Sequence, residues 1–224
     1  MSSVIVLKWT KLLGSPEVDF GDDISTTNDG SIYITGGTSG DLDNQTNNGG
    51  MYDAFISKFN SDGHKQWTRL LGSSEYDWGY EIHIGKDGSI YISGLTRGDL
   101  DNQTNNGSGG FSDAFISKFN SDGDKQWTKL LGTSANESSR GITTGSDGSI
   151  YITGFTEGNL DNQTNNGGAD AYISKFNSDG DKQWTRLLGS SEYDWGYEIH
   201  IGQDGSIYIS GVTYGDLDGQ INSG

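Results

Sequence analysis

Trp67-Thr68-Arg69-Leu70-Leu71-Gly72 decides the fold, because the chain contains this phrase four times, with Arg or Lys at its third position. It stands first as Trp9-Thr10-Lys11-Leu12-Leu13-Gly14 and returns at residues 127–132 and 184–189. The period is about 58 residues, in the range of solenoids, propellers and arrays. In such architectures a unit buries its apolar surface against its neighbours and is not stable alone. Four units of roughly 9–66, 67–126, 127–183 and 184–224 therefore form one domain over residues 1–224.

Outward from Trp67, the unit reads as strands and turns. Residues 67–71 form a short strand, and Gly72-Ser73-Ser74-Glu75 is a turn. Tyr80-Glu81-Ile82-His83-Ile84 alternates apolar and polar side chains, the period of a half-buried strand. Asp87-Gly88 is a hairpin turn that accepts positive φ. Ser89–Gly94 is the next strand, residues 98–110 are a polar loop, and Asp113–Phe119 is a further strand. Ser121-Asp122-Gly123-Asp124 then turns into the next Trp strand. Nothing reads as a helix. Four short antiparallel strands per period predict an all-β propeller blade.

Composition limits the function. Hydrophobic residues are 31% of the chain and Gly is 36 of 224, which on their own lean toward disorder. The 11% aromatic content, at fixed repeat positions, indicates a folded chain instead. A net charge of −17 argues against nucleic-acid or anionic-membrane partners, which need clustered Lys and Arg. It suits divalent cations. Cys is absent, no stretch approaches a transmembrane span, and Val4–Leu7 is too short for the apolar core of a signal peptide. An acidic, Gly-rich repeat chain points to an extracellular or cell-surface setting and leaves a cytoplasmic one open.

The phrases Asp-Gly-Ser-Ile-Tyr-Ile-Ser/Thr-Gly, Gly-Asp-Leu-Asp-Asn-Gln-Thr-Asn-Asn-Gly and Asp-Ala-Phe-Ile-Ser-Lys-Phe-Asn-Ser-Asp-Gly run through nearly all of residues 8–219. Together they resemble the SBBP (beta-propeller) repeat family of bacterial surface and secreted proteins. The resemblance implies a scaffold and no particular reaction.

Strand order bears on closure. The chain opens with an outer Trp strand, Trp9–Leu13, and closes with two inner strands at Gly196–Gly211. Propellers latch such ends into one mixed blade, which removes a bare sheet edge. Here that blade lacks its third strand, for which Ser3–Leu7 is the available segment. A four-bladed ring with a degenerate blade is expected ahead of an eight-bladed homodimer of two half-rings, with a cut from a longer array as the third outcome. A second-order repeat also exists: Ser73–Gly85 returns identically as Ser190–Gly202, two units on.

Three sets of side chains are candidate sites. In the polar loop, Asp41, Asp43, Gln45 and Asn47 place oxygens at alternate positions, as a Ca²⁺ loop does, and Asp53 could add a carboxylate. Asp99, Asp101, Gln103, Asn105 and Asp113 repeat the set; so do Asp161, Gln163, Asn165 and Asp170, with Asn159 replacing the first Asp. The competing reading is a loop whose side chains bond their own backbone. His83 with Glu81, and His200 with Glu198, lie two units apart on innermost strands and could meet at a central axis as a metal site. Tyr76, Trp78, Tyr193 and Trp195 could stack on a sugar, against the alternative of inter-blade packing. There is no Cys nucleophile, no His in a Ser/His/Asp setting, no phosphate loop and no dinucleotide motif. The expected function is a non-enzymatic binding or structural module, possible Ca²⁺ support included, with a carbohydrate-binding lectin and a metal-dependent enzyme as the alternatives.

Overall fold

Alternating apolar positions and Asp-Gly turns produce hairpins throughout the computed structural model, which describes residues 7–107 and 109–223. Repeat one contains β1 (Asp19–Thr26), β2 (Ile32–Thr38), β3 (Asp53–Phe59) and β4 (Lys65–Leu71). Repeat two contains β5 (Asp77–Ile84), β6 (Ile90–Thr96), β7 (Asp113–Phe119) and β8 (Lys125–Leu131). Repeat three contains β9 (Glu137–Thr144), β10 (Ile150–Thr156), β11 (Asp170–Phe176) and β12 (Lys182–Leu188). The last sheet has two strands, β13 (Asp194–Ile201) and β14 (Ile207–Thr213). Pairing within each sheet is antiparallel and sequential, the meander of a propeller blade. No helix occurs among the described residues.

The core lies between blades. Tyr33, Ile56 and Leu71 of blade one pack with Ile82, Ile90 and Ile92 of blade two. Tyr91, Ile116 and Leu131 of blade two pack with Ile142, Ile150 and Ile152 of blade three. A single sheet exposes one apolar face until the next sheet covers it, so the inner strand of each blade carries the joint to its predecessor. Gly88, at φ 79°, supplies the turn between β5 and β6 that a residue with Cβ would strain.

The ends differ from the expected latch. Residues 9–13 form no strand and do not extend the β13–β14 sheet. Trp9 instead packs on the β3–β4 turn of blade one, where its Nε1 donates to Ser61 O at 3.3 Å and its ring faces Gly63. Trp67 takes the same place on Gly123 of blade two. The first Trp segment thus sits where the outer strand of a preceding blade would sit, away from β14, because its ring is matched to that glycine turn. Of the proposed third strand, residues 3–6 lie outside the described residues, and Leu7 is exposed with no strand assignment.

Identical sequence in different surroundings gives a stability test. Ile92 is fully buried, while its copy Ile209 is half-buried in the last sheet. Ile92→Ala is expected to cost about 2–5 kcal/mol, and Ile209→Ala about half of that or less, read as midpoint shifts in urea unfolding.

Candidate functional site

The polar loop is built around a hairpin. Leu42 and Gln45 exchange both backbone hydrogen bonds at 3.0 Å. Asp43 and Asn44 between them have φ of 54° and 61°. Two consecutive positive φ values define a type I′ turn, which Asn and Asp tolerate best among residues with side chains. Asp101-Asn102 and Asp161-Asn162 repeat it, and Asp218-Gly219 has the same pair of positive angles. Buried Leu42 anchors the turn.

The oxygens of this loop are engaged locally. Asp43 pairs with Lys65 and accepts from Thr68 of β4. Gln45 donates to Thr68 O and accepts from Leu70 N at 3.0 Å. Asp41 accepts from Asn47 N at 2.9 Å, and Asn47 Nδ2 donates to Thr38 O at 3.1 Å. Asp99, Asp101, Gln103 and Asn105 make the corresponding bonds in repeat two. Asp161, Gln163 and Asn165 make them in repeat three, where Asn159 replaces the first Asp as acceptor. The loop side chains clamp the turn to the outer strand of their own blade.

Asp53, Asp113 and Asp170 stand apart from those chains. Asp53 opens β3 and is fully buried; its Oδ2 accepts from Asn48 N at 2.9 Å and Asn48 Nδ2 at 3.1 Å. Near it, at the start of blade two, lies equally buried Asp77, whose Oδ2 accepts from Ser73 N at 2.6 Å and Ser73 Oγ at 2.8 Å. Burial pushes both carboxyls up to about 6, and the Asp53 charge adds to the shift at Asp77. Oδ1 of each has no hydrogen-bond partner. Asp113 with Glu137, and Asp170 with Asp194, recur at the next two joints, and Asp113 Oδ1 and Asp194 Oδ1 are again unpaired. Sequence reading singled out the first member of each pair and missed Asp77, Glu137 and Asp194. The missed signal was the recurrence of Ser/Thr-x-x-x-Asp/Glu after each Trp phrase.

The axis residues are shaped by a β-bulge. In β1, β5, β9 and β13 the register skips one residue: Asp22, Tyr80, Arg140 and Tyr197 respectively. A bulge breaks alternation, so two successive side chains can address the same neighbour. Asp22 accepts from Trp78 Nε1 and Asp23 from Ile82 N, both at 2.9 Å and both in blade two. Tyr80 lies 3.8 Å below Arg140, and Glu81 accepts from Ile142 N at 2.9 Å, both in blade three. Glycine on the paired strand makes the bulge feasible, since a Cβ on Gly94 would lie 1.8 Å from Trp78 O. Strand glycine at this recurring position was the legible sign of it.

His83 consequently faces the next blade, with Nε2 3.0 Å from Thr144 Oγ1, and burial lowers its pKa. His200 is exposed on the last sheet. Partial burial and the nearby Asp23 charge raise the pKa of Glu198 on the same strand, and Glu198 in turn adds to the shift at Glu81. Among the described residues no three His, Cys, Asp or Glu side chains gather in a geometry that could hold a metal.

The aromatic set divides. Trp78 is buried against Phe20, Tyr52 and Tyr76, at centroid distances of 5.3, 4.9 and 5.7 Å. Its copy Trp195 contacts Phe155 at 5.7 Å, flanked by exposed Tyr193 and Tyr214. Trp195 Nε1 has no partner, because blade three has Arg140 where blade one has Asp22. Trp195, Ile209, Val212 and Leu217 line a cleft of about 160 Å³.

These blades and joints define an all-β repeat protein of the propeller class. Residues 66–101 and 183–218 match the SBBP family, described as Beta-propeller repeat. The chain is 30% identical over 183 residues, 74% of its length, to the regulatory protein FlaEY of Caulobacter vibrioides, covering 19% of that protein. It is 22% identical over its whole length to an uncharacterized WD repeat-containing protein of Acanthamoeba polyphaga mimivirus, covering 20% of it. The chain thus spans about a fifth of the length of these relatives. A protein of unknown function from Bacteroides caccae shares the fold, with a TM-score of 0.50 and 10% identity over 85% of this chain and 53% of that one.

Glu81 yields a pH test. Burial, with Glu198 and Asp23 nearby, raises its pKa from 4.5 to about 8. The folded chain therefore holds a proton that the unfolded chain has released, and stability from this group falls as pH rises from about 4.5 to about 8. Glu81→Gln is expected to flatten that part of the profile and raise the melting midpoint above pH 8, as followed by circular dichroism.

Proposed function

We propose that this chain is a non-enzymatic binding and structural module of a bacterial surface or secreted protein, with Ca²⁺ ordering the joints between its blades. The observation that carries this reading is the fourfold repetition of one rigid hairpin. Each repeat uses the same turn at the same corner of its blade, and Asp41, Asp99, Asn159 and Asp216 are exposed there. Equivalent acceptor-rich heads on a stiff support suit a ligand that is itself repetitive, because linked weak contacts combine as avidity. The resemblance to surface repeat proteins supports the setting.

The calcium part rests on the buried carboxylate pairs. Four carboxylate oxygens without partners, on Asp53, Asp77, Asp113 and Asp194, are costly to keep charged in a dry joint. A hard divalent cation prefers such oxygens, and backbone carbonyls could complete its shell. The loop oxygens of Asp43 and Gln45 are less suited, since Lys65, Thr68 and Leu70 already engage them. Thermal melts in Ca²⁺ and in chelator test this. At about a hundredfold excess over its dissociation constant the ion adds about 2.7 kcal/mol of stability. Asp77→Asn is expected to reduce the response, and an unchanged midpoint in wild-type chain would remove calcium from the proposal.

A lectin reading is favoured by one observation: Tyr193 and Tyr214 are exposed on either side of Trp195 and its cleft. Aromatic faces beside polar groups suit pyranose rings. A glycan array probed with wild-type chain and with a Tyr193→Ala/Tyr214→Ala variant tests it. Retention lost in the variant is the expected result; no retained glycan would leave the scaffold reading alone.

A further inference from the structure

Each polar loop ends on a peptide bond with a chemistry of its own. Asn48-Gly49, Asn106-Gly107 and Asn166-Gly167 are the three Asn-Gly pairs of the chain, and they fall at one position of the repeat. At such a pair the glycine backbone nitrogen can attack Cγ of the asparagine side chain, because glycine has no Cβ to obstruct the approach. The N–Cγ bond forms, the Cγ–Nδ2 bond breaks, and ammonia leaves with the proton of the backbone amide. Water then opens the resulting succinimide to a carboxylate, in aspartate or isoaspartate form.

All three asparagines are exposed to water, yet both reacting groups are held. Asn47 Oδ1 accepts from Gly49 N at 3.0 Å, Asn105 Oδ1 from Gly107 N at 2.6 Å, and Asn165 Oδ1 from Gly167 N at 2.9 Å. The attacking nitrogen of each pair thus keeps its proton and points at the preceding side chain. The amide that would be attacked is tied as well. Nδ2 of Asn48, Asn106 and Asn166 donates to Asp53, Asp113 and Asp170 at 3.1, 3.1 and 3.3 Å. Reaction requires a local opening that breaks both bonds together. Asn47, Asn105 and Asn165 are themselves anchored, through Nδ2 to Thr38 O, Thr96 O and Thr156 O at the ends of β2, β6 and β10. Side chains that read as calcium ligands in the sequence hold the reactive nitrogen of the loop.

The product carboxylate would stand at a joint. Asn48 N and Nδ2 are the donors to buried Asp53 Oδ2, and Nδ2 also donates to Gly72 O at 3.2 Å. A carboxylate at position 48 sets like charge against Asp53 and takes that donor from Gly72. The loop also touches blade two, since a Cβ on Gly50 would lie 1.9 Å from Glu75 O. A change of charge here therefore acts on the contact between blades.

We infer that Asn48, Asn106 and Asn166 are latent deamidation sites, that Asn47, Asn105 and Asn165 keep them unreacted by binding the glycine N–H of each pair, and that conversion at Asn48 loosens the joint between blades one and two.

Mass spectrometry of peptides from the full chain, aged in mildly alkaline buffer, tests this. All three asparagines are expected to convert more slowly in folded chain than in urea. Asn47→Ala is expected to speed conversion at Asn48 by about 2- to 10-fold, the worth of one net hydrogen bond, with Asn106 and Asn166 of the same chain unchanged. Asn47→Asp keeps the acceptor and should restore the slow rate. Asn105→Ala, read at Asn106 against Asn48 and Asn166, repeats the comparison if the first variant folds poorly. Equal rates at Asn48 in wild-type chain and Asn47→Ala overturn the inference, as does an Asn47→Asp chain that converts like the alanine variant. At the joint, Asn48→Asp should lower the melting midpoint by more than Asn48→Ala, since it adds a charge as well as removing the Nδ2 donor. An equal loss in the two variants overturns the link to the joint.

Discussion

One skipped residue on the inner strand of each blade sets the rest of the structure. Without the bulge, Asp22 and Asp23 would face opposite sides of their sheet, and one of them would have no role at the joint. With it, both reach blade two, one to the Trp78 indole and one to the Ile82 amide. Tyr80 and Glu81 divide the work in the same way at the second joint. The strand backbone gains partners outside its own sheet, and blade follows blade with a fixed offset. Glycine on the neighbouring strand is the steric condition for this arrangement, because the bulged carbonyl occupies the space of a Cβ.

Much of the architecture was legible because repetition multiplies weak local signals. A single Ile-Tyr-Ile stretch is ambiguous; four copies at one spacing, each preceded by Asp-Gly or Asp-Gly-Ser, are not. The polar loop was harder. Alternating oxygen side chains describe a calcium loop and a tight hairpin equally well at the level of sequence. The distinction lies in Leu42, which is buried, and Gln45, which reaches across to the outer strand. Both are tertiary facts that spacing does not encode. His83 was read as an axis residue because plain alternation places it beside Glu81, and the contact with Thr144 shows it serving the joint instead.

The end sheets show what a repeat loses when its neighbour is missing. Blade four copies blade two almost residue for residue along its inner strands, yet Tyr208 is exposed and Ile207 and Ile209 are half-buried where Tyr91, Ile90 and Ile92 are covered. Stability in stacked repeats is a sum of unit and interface contributions, so an identical sequence is worth less at an edge. The same comparison separates intrinsic preference from context: the strands form in both places, and packing is what differs. Trp9 shows the converse, a segment without strand structure that still finds its glycine turn, because that contact needs one indole ring and no sheet.

Alternation between two kinds of joint adds direction to the stack. Trp78 has Asp22 as an acceptor, whereas Trp195 meets a blade that carries Arg140 and is left without one. Arg140 is itself committed to Tyr80 of the blade before it. A blade of the third kind is therefore matched to its predecessor at some expense to its successor, and exchanging blades one and three would disturb both sides. Charge on the bulged residue, negative in blade one and positive in blade three, thereby distinguishes otherwise equivalent blades. Near-identical repeats risk pairing out of order during folding, and this polarity restricts each inner strand to the neighbour whose bulge carries the complementary group.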